Sequence, residues 1–222
     1  MDDSALDGSR HEAALRGLSR LNYLSGSART LWPPLAALAR QLGRRQLRVL
    51  DVASGGGDVP VRLWRKARRA GLDLEIHGVD VSPRAVEFAT GQAAAEQAAI
   101  NFSVLDVLAD PLPRGFDAVT CSLFLHHLAD EQAVLLLQAM AKAANRLVLV
   151  SDLRRSAVGL ALAHLAAWTL TVSDVVRVDG ARSVRAAFTV YEATALARAA
   201  GLNGAIVERH RPVRFLLSWK RS

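Results

Sequence analysis

The stretch VLDVASGGGD at residues 49–58 decides the fold of this chain. Its apolar first half predicts a buried strand, and the glycines after it predict a tight turn that leads directly into a helix. Glycine lets the backbone adopt positive φ and approach a ligand closely. Gly55 and Gly57 do not complete the G-x-G-x-x-G fingerprint of dinucleotide sites, because Pro60 stands where the third glycine should permit close packing. We therefore expect a nucleoside ligand that carries no phosphate.

Strand and helix patterns alternate on both sides of this stretch, which predicts an α/β fold with a mainly parallel sheet. Ser82 before Pro83 is a typical N-cap and first-turn pair. The predicted strands cover residues 47–52, 74–80, 101–105, 117–122 and 147–151, and the predicted helices cover residues 58–70, 83–97, 130–144 and 191–200. Residues 205–209 and 214–220 are predicted to form a closing antiparallel hairpin.

The two remaining regions are predicted to decorate a single domain that spans residues 1–222. Residues 12–43 have a helical pattern, broken near residues 25–27 and at Pro33-Pro34, and residues 156–171 form an almost wholly apolar buried or lid helix. The predicted divisions are a helical cap at 1–44, a cofactor-binding core at 45–152, a lid or substrate insert at 153–190, and the last helix and hairpin at 191–222.

Composition indicates a soluble cytoplasmic protein without a nucleic-acid partner. The net charge is +7, but the arginines are spread along the chain and aromatic residues make up only 5%, so a solvated basic surface is expected. No apolar run reaches the roughly 18 residues of a membrane span, and the N-terminus lacks the pattern of a secretory signal. The single cysteine, Cys121, cannot form an internal disulfide and is predicted to be a core residue.

Acidic residues follow three consecutive predicted strands. Asp51, Asp80 and Asp106 each fall near the carboxyl end of a strand, the edge at which open α/β sheets bind ligands. A carboxylate such as that of Asp80 can accept hydrogen bonds from both hydroxyls of a ribose. A lone aspartate at a strand end is more often a helix cap or a turn residue, but the glycine turn together with these acids favours a binding site.

Over residues 45–152, and in the terminal hairpin, the sequence resembles the class I S-adenosylmethionine-dependent methyltransferases. The family motif D-x-G-x-G-x-G is matched by Asp51, Ala53, Gly55 and Gly57, with alanine in place of the first glycine, as in the ubiquinone and menaquinone branch. The resemblance implies a Rossmann-like, seven-stranded, mostly parallel sheet with a C-terminal antiparallel hairpin, a helical N-terminal cap and a lid insert after the fifth strand.

The same resemblance implies S-adenosylmethionine as the methyl donor and S-adenosylhomocysteine as the product. By it, Asp80 would hold the ribose, Val81 would touch the adenine, and Asp106 with the Val107 amide would recognise the adenine amino group. The methionine part would meet the backbone around Ala53 and Ser54 and at Ser122.

The segment TCSLFLHHL at residues 120–128 lies where this family builds its acceptor site. Transfer to a hydroxyl needs a base, so His127 is the preferred candidate and His126 the second; the alternative is that one histidine caps the helix and the other is solvated. The segment lacks the N/D-P-P-Y sequence typical of enzymes that methylate nucleic-acid amines. Leu123 and His126 stand where some relatives carry acidic metal ligands, so no metal is expected.

An acceptor pocket is expected between the N-terminal cap, with Tyr23 and Trp32, and the insert, with Arg154 and Arg182. Apolar and basic residues together favour a phenol, a quinol or a polyketide-like acceptor, hence O-methylation in secondary metabolism. The alternatives are C-methylation of a quinone-type ring, methylation of RNA or protein, and a non-catalytic binding scaffold. The sequence leaves a monomer and a homodimer equally open.

Overall fold

The computed structural model describes residues 26–156, 184–211 and 213–221. The chain divides into two compact units, Met1–Val107 and Leu108–Ser222, and each has its own strands and helices. The predicted helix at residues 156–171 lies almost wholly outside the described residues, as do Tyr23 and Arg182.

The first unit consists of parallel strands linked by helices. Its elements are α1 (Ser27–Leu42), β1 (Gln46–Val52), α2 (Asp58–Arg69), β2 (Asp73–Asp80), α3 (Pro83–Ala95) and β3 (Ile100–Val104). The strands lie in the order β3-β2-β1, and all neighbours are parallel. The register places Asp51 opposite Gly78 and Gly78 opposite Phe102, so the segment after β1 lies beside the end of β2.

The elements of this unit form for the reasons that the sequence indicates. Leu47, Val49 and Leu50 of β1 are fully buried, as expected for a parallel strand that is covered on both faces. The Ser82 hydroxyl caps α3 by accepting a hydrogen bond from the Ala85 N–H at 3.3 Å, with Pro83 in the first turn. The prediction of this cap is confirmed.

Helix α1 differs from the prediction in one respect. Gly26, in the left-handed conformation, precedes the helix where a break is expected, but Pro33 and Pro34 lie inside the helix and do not end it. Each proline removes one backbone donor from the helix. The helix continues because its apolar side, with Leu31, Leu35 and Leu38, is buried in the core of the unit. The predicted break at Pro33-Pro34 is therefore wrong.

The second unit contains the antiparallel part of the sheet. Its elements are β4 (Phe116–Ser122), a short 3-10 helix (Leu125–His127), α4 (Asp130–Ala143), β5 (Ala144–Leu153), α5 (Val190–Ala199), β6 (Ile206–His210) and β7 (Arg214–Lys220). The strands lie in the order β4-β5-β7-β6; β4 and β5 are parallel, whereas β7 is antiparallel to both β5 and β6. The predicted C-terminal hairpin is confirmed.

Strand β5 is longer than the prediction, which ended it at Ser151. It continues through Asp152 and Leu153 because these residues pair with Phe215 and Arg214 of β7, a partner far away in the sequence. The extension takes Asp152 into the interior, where it is only 1% exposed. Cys121 in β4 is fully buried, as predicted.

The seven strands form a mixed sheet with helices, which confirms the α/β, Rossmann-like fold class. Among the described residues, every helix is too short or too polar to cross a bilayer.

Candidate functional site

The glycine turn after β1 is attached to the end of β2 by hydrogen bonds. The Ser54 N–H donates to the Val79 carbonyl at 3.0 Å, and the Ser54 hydroxyl donates to the same oxygen at 3.2 Å. The Gly57 N–H donates back to the Ser54 carbonyl at 3.0 Å, which closes the turn just before α2 begins. The turn is therefore fixed at the carboxyl edge of the strands, where ligands bind in open α/β sheets.

Asp80 uses both carboxylate oxygens to hold the backbone around this turn. Its Oδ2 accepts a hydrogen bond from the Gly55 N–H at 2.8 Å, and its Oδ1 accepts one from the Ser82 N–H at 3.0 Å. Sequence reasoning assigned Asp80 to a ligand and missed this second role. The two roles are compatible, because an ionised carboxylate has about four acceptor sites and these bonds use two of them.

Two glycines of the turn serve different purposes. Gly55 has a φ of +53°, and a Cβ built on it would meet nothing within 4 Å, so the space beside it is open. Gly57 has a φ of +80°, and a Cβ there would come within 2.9 Å of both Ala89 and Phe102. Gly57 is required by packing, whereas Gly55 leaves room for a ligand to approach the backbone.

Ala53 adopts a conformation that favours glycine. Its φ is +54°, in the left-handed region, which costs a residue with a Cβ about 1–2 kcal/mol. The glycine of the motif is therefore suited to this position, and alanine keeps the same turn at some cost in strain.

A residue that sequence reasoning missed holds the turn from the other side. The Gln92 side chain, in α3, donates from Nε2 to the Gly56 carbonyl at 2.8 Å. The bond joins residues 36 positions apart, and no local pattern around Gln92 predicts it.

The other predicted donor residues of the first unit lie in different surroundings. Asp51 is within β1 and only 1% exposed, and Val107 is buried as well. Asp106 is half-buried and follows β3 by two residues. Val81, next to Asp80, is 60% exposed, so its side chain is accessible to a ligand beside the Asp80 carboxylate. The open space at Gly55, the Asp80 carboxylate and Val81 thus fit an uncharged nucleoside.

In the second unit, His126 and Asp152 form a buried pair. The Nδ1 of His126 lies 2.6 Å from the Asp152 Oδ1, and the His126 N–H donates to the Asp152 Oδ2 at 3.3 Å. The Leu153 N–H also donates to Oδ1, at 2.5 Å. The side chains of the pair are 5% and 1% exposed, so water contributes little to either.

Arg214 lies beside this pair and is 1% exposed. Its Nη1 donates to the Ser151 hydroxyl at 3.3 Å. Burial lowers the pKa of Arg214 to about 10, although the Asp152 carboxylate acts in the opposite direction, so the guanidinium is charged at neutral pH. Burial also disfavours the ionised form of Asp152, but the His126 ring, the Leu153 N–H and Arg214 together hold the pKa of the Asp152 carboxyl below its usual value.

The remaining predicted residues are partly or fully accessible. His127 is exposed, and its ring centre lies 4.1 Å from that of His126 at an angle of 37°. Trp32, Ser122 and Arg154 are half-buried. Across the described ranges, no group of three or more histidine, cysteine or acidic side chains is arranged to hold a metal ion.

Comparison with known proteins agrees with this geometry. Residues 49–147 match a family model described as a methyltransferase domain. The demethylmenaquinone methyltransferase of Deinococcus radiodurans is 40% identical over 96 residues, which cover 43% of this chain and 38% of that protein. The ubiquinone biosynthesis O-methyltransferase of Xanthomonas campestris pv. campestris is 30% identical over 122 residues, 54% of this chain and 48% of that protein. The match thus spans less than half the length of these curated relatives.

Solved structures share the fold. An O-methyltransferase from neocarzinostatin biosynthesis, crystallised with S-adenosylmethionine and 2-hydroxy-5-methyl naphthoic acid, aligns with a TM-score of 0.66 and 21% identity, covering 96% of this chain and 57% of that one. The strand order and the glycine turn define a Rossmann-like methyltransferase fold. Together with the match of residues 49–147 to the methyltransferase domain model, they support a class I S-adenosylmethionine-dependent methyltransferase.

Proposed function

We propose that this chain transfers a methyl group from S-adenosylmethionine to an oxygen of a small aromatic or lipophilic acceptor. The observation that carries the proposal is the hydrogen bond of 2.8 Å from the Gly55 N–H to the Asp80 carboxylate, beside the open space at Gly55. This arrangement presents a carboxylate for hydroxyl groups and a bare backbone for a nucleoside.

The donor-binding residues of the proposal are those of the first unit that surround the turn, with one from β4. Asp80 accepts from the ribose hydroxyls, Val81 covers the adenine, and Asp106 with the Val107 amide recognises the adenine amino group. Gly57 shapes the turn and Asp51 supports it from within β1. The backbone of Ala53, Ser54, Gly55 and Ser122 meets the methionine part. When bound, the donor supplies an electrophilic methyl group on a sulfonium.

For the base, the proposal prefers His126 to His127, which reverses the order that the sequence favours. A base must be held in one orientation and one tautomer, and the contact of 2.6 Å between His126 and Asp152 provides both. His127 is exposed, and its ring centre lies 4.1 Å from that of His126. His127 remains the second candidate.

Aromatic and lipophilic acceptors are favoured by the relatives. The names of the two curated proteins refer to demethylmenaquinone and to ubiquinone biosynthesis, and the solved structure contains a hydroxylated naphthoic acid. Trp32 and Arg154, both half-buried, offer an apolar surface and a cation for such a molecule, and Tyr23 and Arg182 stay in the proposal as further contacts. The first relative's name also supports a second candidate, C-methylation of a quinone-type ring.

The test measures binding at the donor site and methyl transfer separately. Calorimetric titration of the purified chain with S-adenosylhomocysteine measures donor-site binding without any acceptor. Transfer of a labelled methyl group is then followed across phenols, quinols, amines, thiols and RNA. The proposal expects binding together with turnover of phenols or quinols. It is refuted by the absence of binding, or by turnover confined to amines or to RNA.

A further inference from the structure

Three successive glycines leave the turn after β1 free to adopt several backbone conformations. Gly55, Gly56 and Gly57 follow one another, and glycine populates positive and negative φ about equally. The peptide group between Gly56 and Gly57 is planar and can rotate as a unit, because the dihedral angles on both sides of it belong to glycines. A single orientation of this group therefore needs a restraint from outside the turn.

Packing keeps glycine at position 57, so a side chain there cannot supply the restraint. A Cβ on Gly57 would lie 2.9 Å from both the Ala89 Cβ and the Phe102 ring, at a φ of +80°. At position 56, a Cβ would lie 3.2 Å from the Phe88 ring, which is also tight. The orientation of the peptide group must then be fixed by hydrogen bonds.

Two hydrogen bonds hold the two ends of this peptide group. The Gly57 N–H donates to the Ser54 carbonyl at 3.0 Å, and the Gly56 carbonyl accepts from the Gln92 Nε2 at 2.8 Å. In a trans peptide the N–H and the C=O point in opposite directions, so one bond holds the group from within the turn and the other from α3. Rotation of the group breaks both bonds at once.

Gln92 can act as a restraint because α3 is itself attached to the turn. The Asp80 Oδ1 accepts from the Ser82 N–H at 3.0 Å at the start of the helix, while its Oδ2 accepts from the Gly55 N–H at 2.8 Å. One carboxylate thus joins the turn to the beginning of α3, and Gln92 joins them again further along the helix. The helix and the turn therefore keep their spacing.

We propose that Gln92 is a positioning residue of the donor site, which keeps the peptide group between Gly56 and Gly57 in the orientation that binds S-adenosylmethionine. The inference rests on the proposed function only for the identity of the ligand. The apparent affinity of a ligand falls in proportion to the fraction of the protein in the binding conformation. A typical hydrogen bond changes such a fraction by a factor of about 2–10.

The first measurement is the affinity for S-adenosylhomocysteine in calorimetric titration. Gln92→Met keeps the length of the side chain and removes the donor, so we expect binding about 3–10-fold weaker than that of the wild type. Gln92→Lys supplies another N–H donor and should restore part of the affinity. Gln41→Met, the same change at an exposed position of α1, is the matched control and should bind like the wild type. Equal binding by Gln92→Met and the wild type overturns the inference.

The second measurement needs no ligand. Amide hydrogen exchange, followed by NMR in 15N-labelled protein, compares the Gly57 N–H with the Ser54 N–H, which donates to the Val79 carbonyl at 3.0 Å. In Gln92→Met the Gly57 amide should exchange faster, because its bond to Ser54 opens when the peptide group rotates, and the Ser54 amide should keep its rate. Equal acceleration of both amides would show a merely structural role and overturn the inference, as would unchanged exchange at Gly57.

The two measurements separate this inference from the proposed function. A wild-type chain that does not bind S-adenosylhomocysteine, with faster Gly57 exchange in Gln92→Met, refutes the proposed function and leaves the restraint on the turn intact. A wild type that binds and methylates, with Gln92→Met unchanged in affinity and exchange, refutes the inference alone. If Gln92→Met does not fold, Gln92→Glu replaces it, since an ionised carboxylate of the same length can only accept hydrogen bonds.

Discussion

The Oδ2 of Asp80 lies 2.8 Å from the backbone nitrogen of Gly55, so a side chain at the end of β2 holds the turn that follows β1. The bond joins the glycine turn to the aspartate at the end of β2. These are the two features that predict a nucleoside site in the sequence. Gly55 has no side chain, and the space beside it is open. The hydrogen bond therefore fixes the backbone of Gly55 while the backbone stays accessible to a ligand. Asp80 thus shapes the turn, in addition to its proposed contact with the ribose.

Replacement of Asp80 tests this double role. Asp80→Ala should weaken S-adenosylhomocysteine binding by about 1–3 kcal/mol, because charge-assisted hydrogen bonds are lost and the turn is no longer held. Calorimetric titration measures the loss. Glu75→Gln in the same strand is the control, since it removes an exposed carboxylate that pairs with Arg48 and should leave binding unchanged. Equal binding by Asp80→Ala and the wild type would contradict the assignment.

Two glycine-to-alanine substitutions distinguish the effect of side-chain packing on stability from the effect of unfolded-chain entropy. Gly57→Ala should lower the free energy of unfolding by about 1–3 kcal/mol, because the new methyl group would overlap Ala89 and Phe102 at a positive φ. Gly91→Ala, at a helical position with open space around it, should instead raise it by about 0.5–1 kcal/mol. Urea unfolding curves measure both. Similar effects of the two substitutions would show that the packing argument is wrong.

Placing glycine at position 53, as in the family motif, should relieve backbone strain. Ala53→Gly keeps the left-handed conformation but removes its steric cost of about 1–2 kcal/mol, and it adds an unfolded-state entropy cost of about 0.4–1 kcal/mol, so a small net gain in stability is expected. Chemical unfolding curves show whether the substitution raises or lowers the free energy of unfolding. Ala94→Gly, on the exposed side of α3, is the control and should destabilise by about 0.5–1 kcal/mol. A loss of stability in Ala53→Gly as large as that in the control would argue against backbone strain at this turn.

The stability of the chain should depend on pH through Asp152. Its pKa in the folded protein lies below the value of about 3.9 for an unfolded aspartate. The stabilisation is therefore fully present above pH 3.9 and is lost as the pH falls through the lower, folded value. Asp152→Asn should be less stable than the wild type at pH 7, and the difference should shrink in more acidic solution.

Unfolding curves recorded from pH 7 down to the acid range test this dependence. The difference between Asp130→Asn and the wild type is the reference, because this substitution removes an exposed carboxylate. A stability deficit of Asp152→Asn that stays constant into acid would mean that the charge of Asp152 is not the source of the stabilisation.

Much of the fold was accessible from the sequence because its signals are local. A buried strand is indicated by closely spaced apolar residues such as Leu47, Val49 and Leu50, and a tight turn by glycine, so both can be identified without knowing any partner. The N-cap at Ser82 belongs to the same kind of signal. The predicted break at Pro33-Pro34 failed because the burial of Leu31 and Leu35 depends on the rest of the unit.

By itself, the sequence determined the strand and helix succession, the glycine turn and the position of Asp80 at a strand end, since periodicity and turn chemistry are properties of neighbouring residues. Only the tertiary structure decided that Asp80 holds Gly55, that Gln92 holds Gly56 and that Asp152 selects His126 over His127 as the held histidine. Those contacts join residues at least 25 positions apart. They arise from sheet register and from the extension of β5 against β7, which no local pattern encodes.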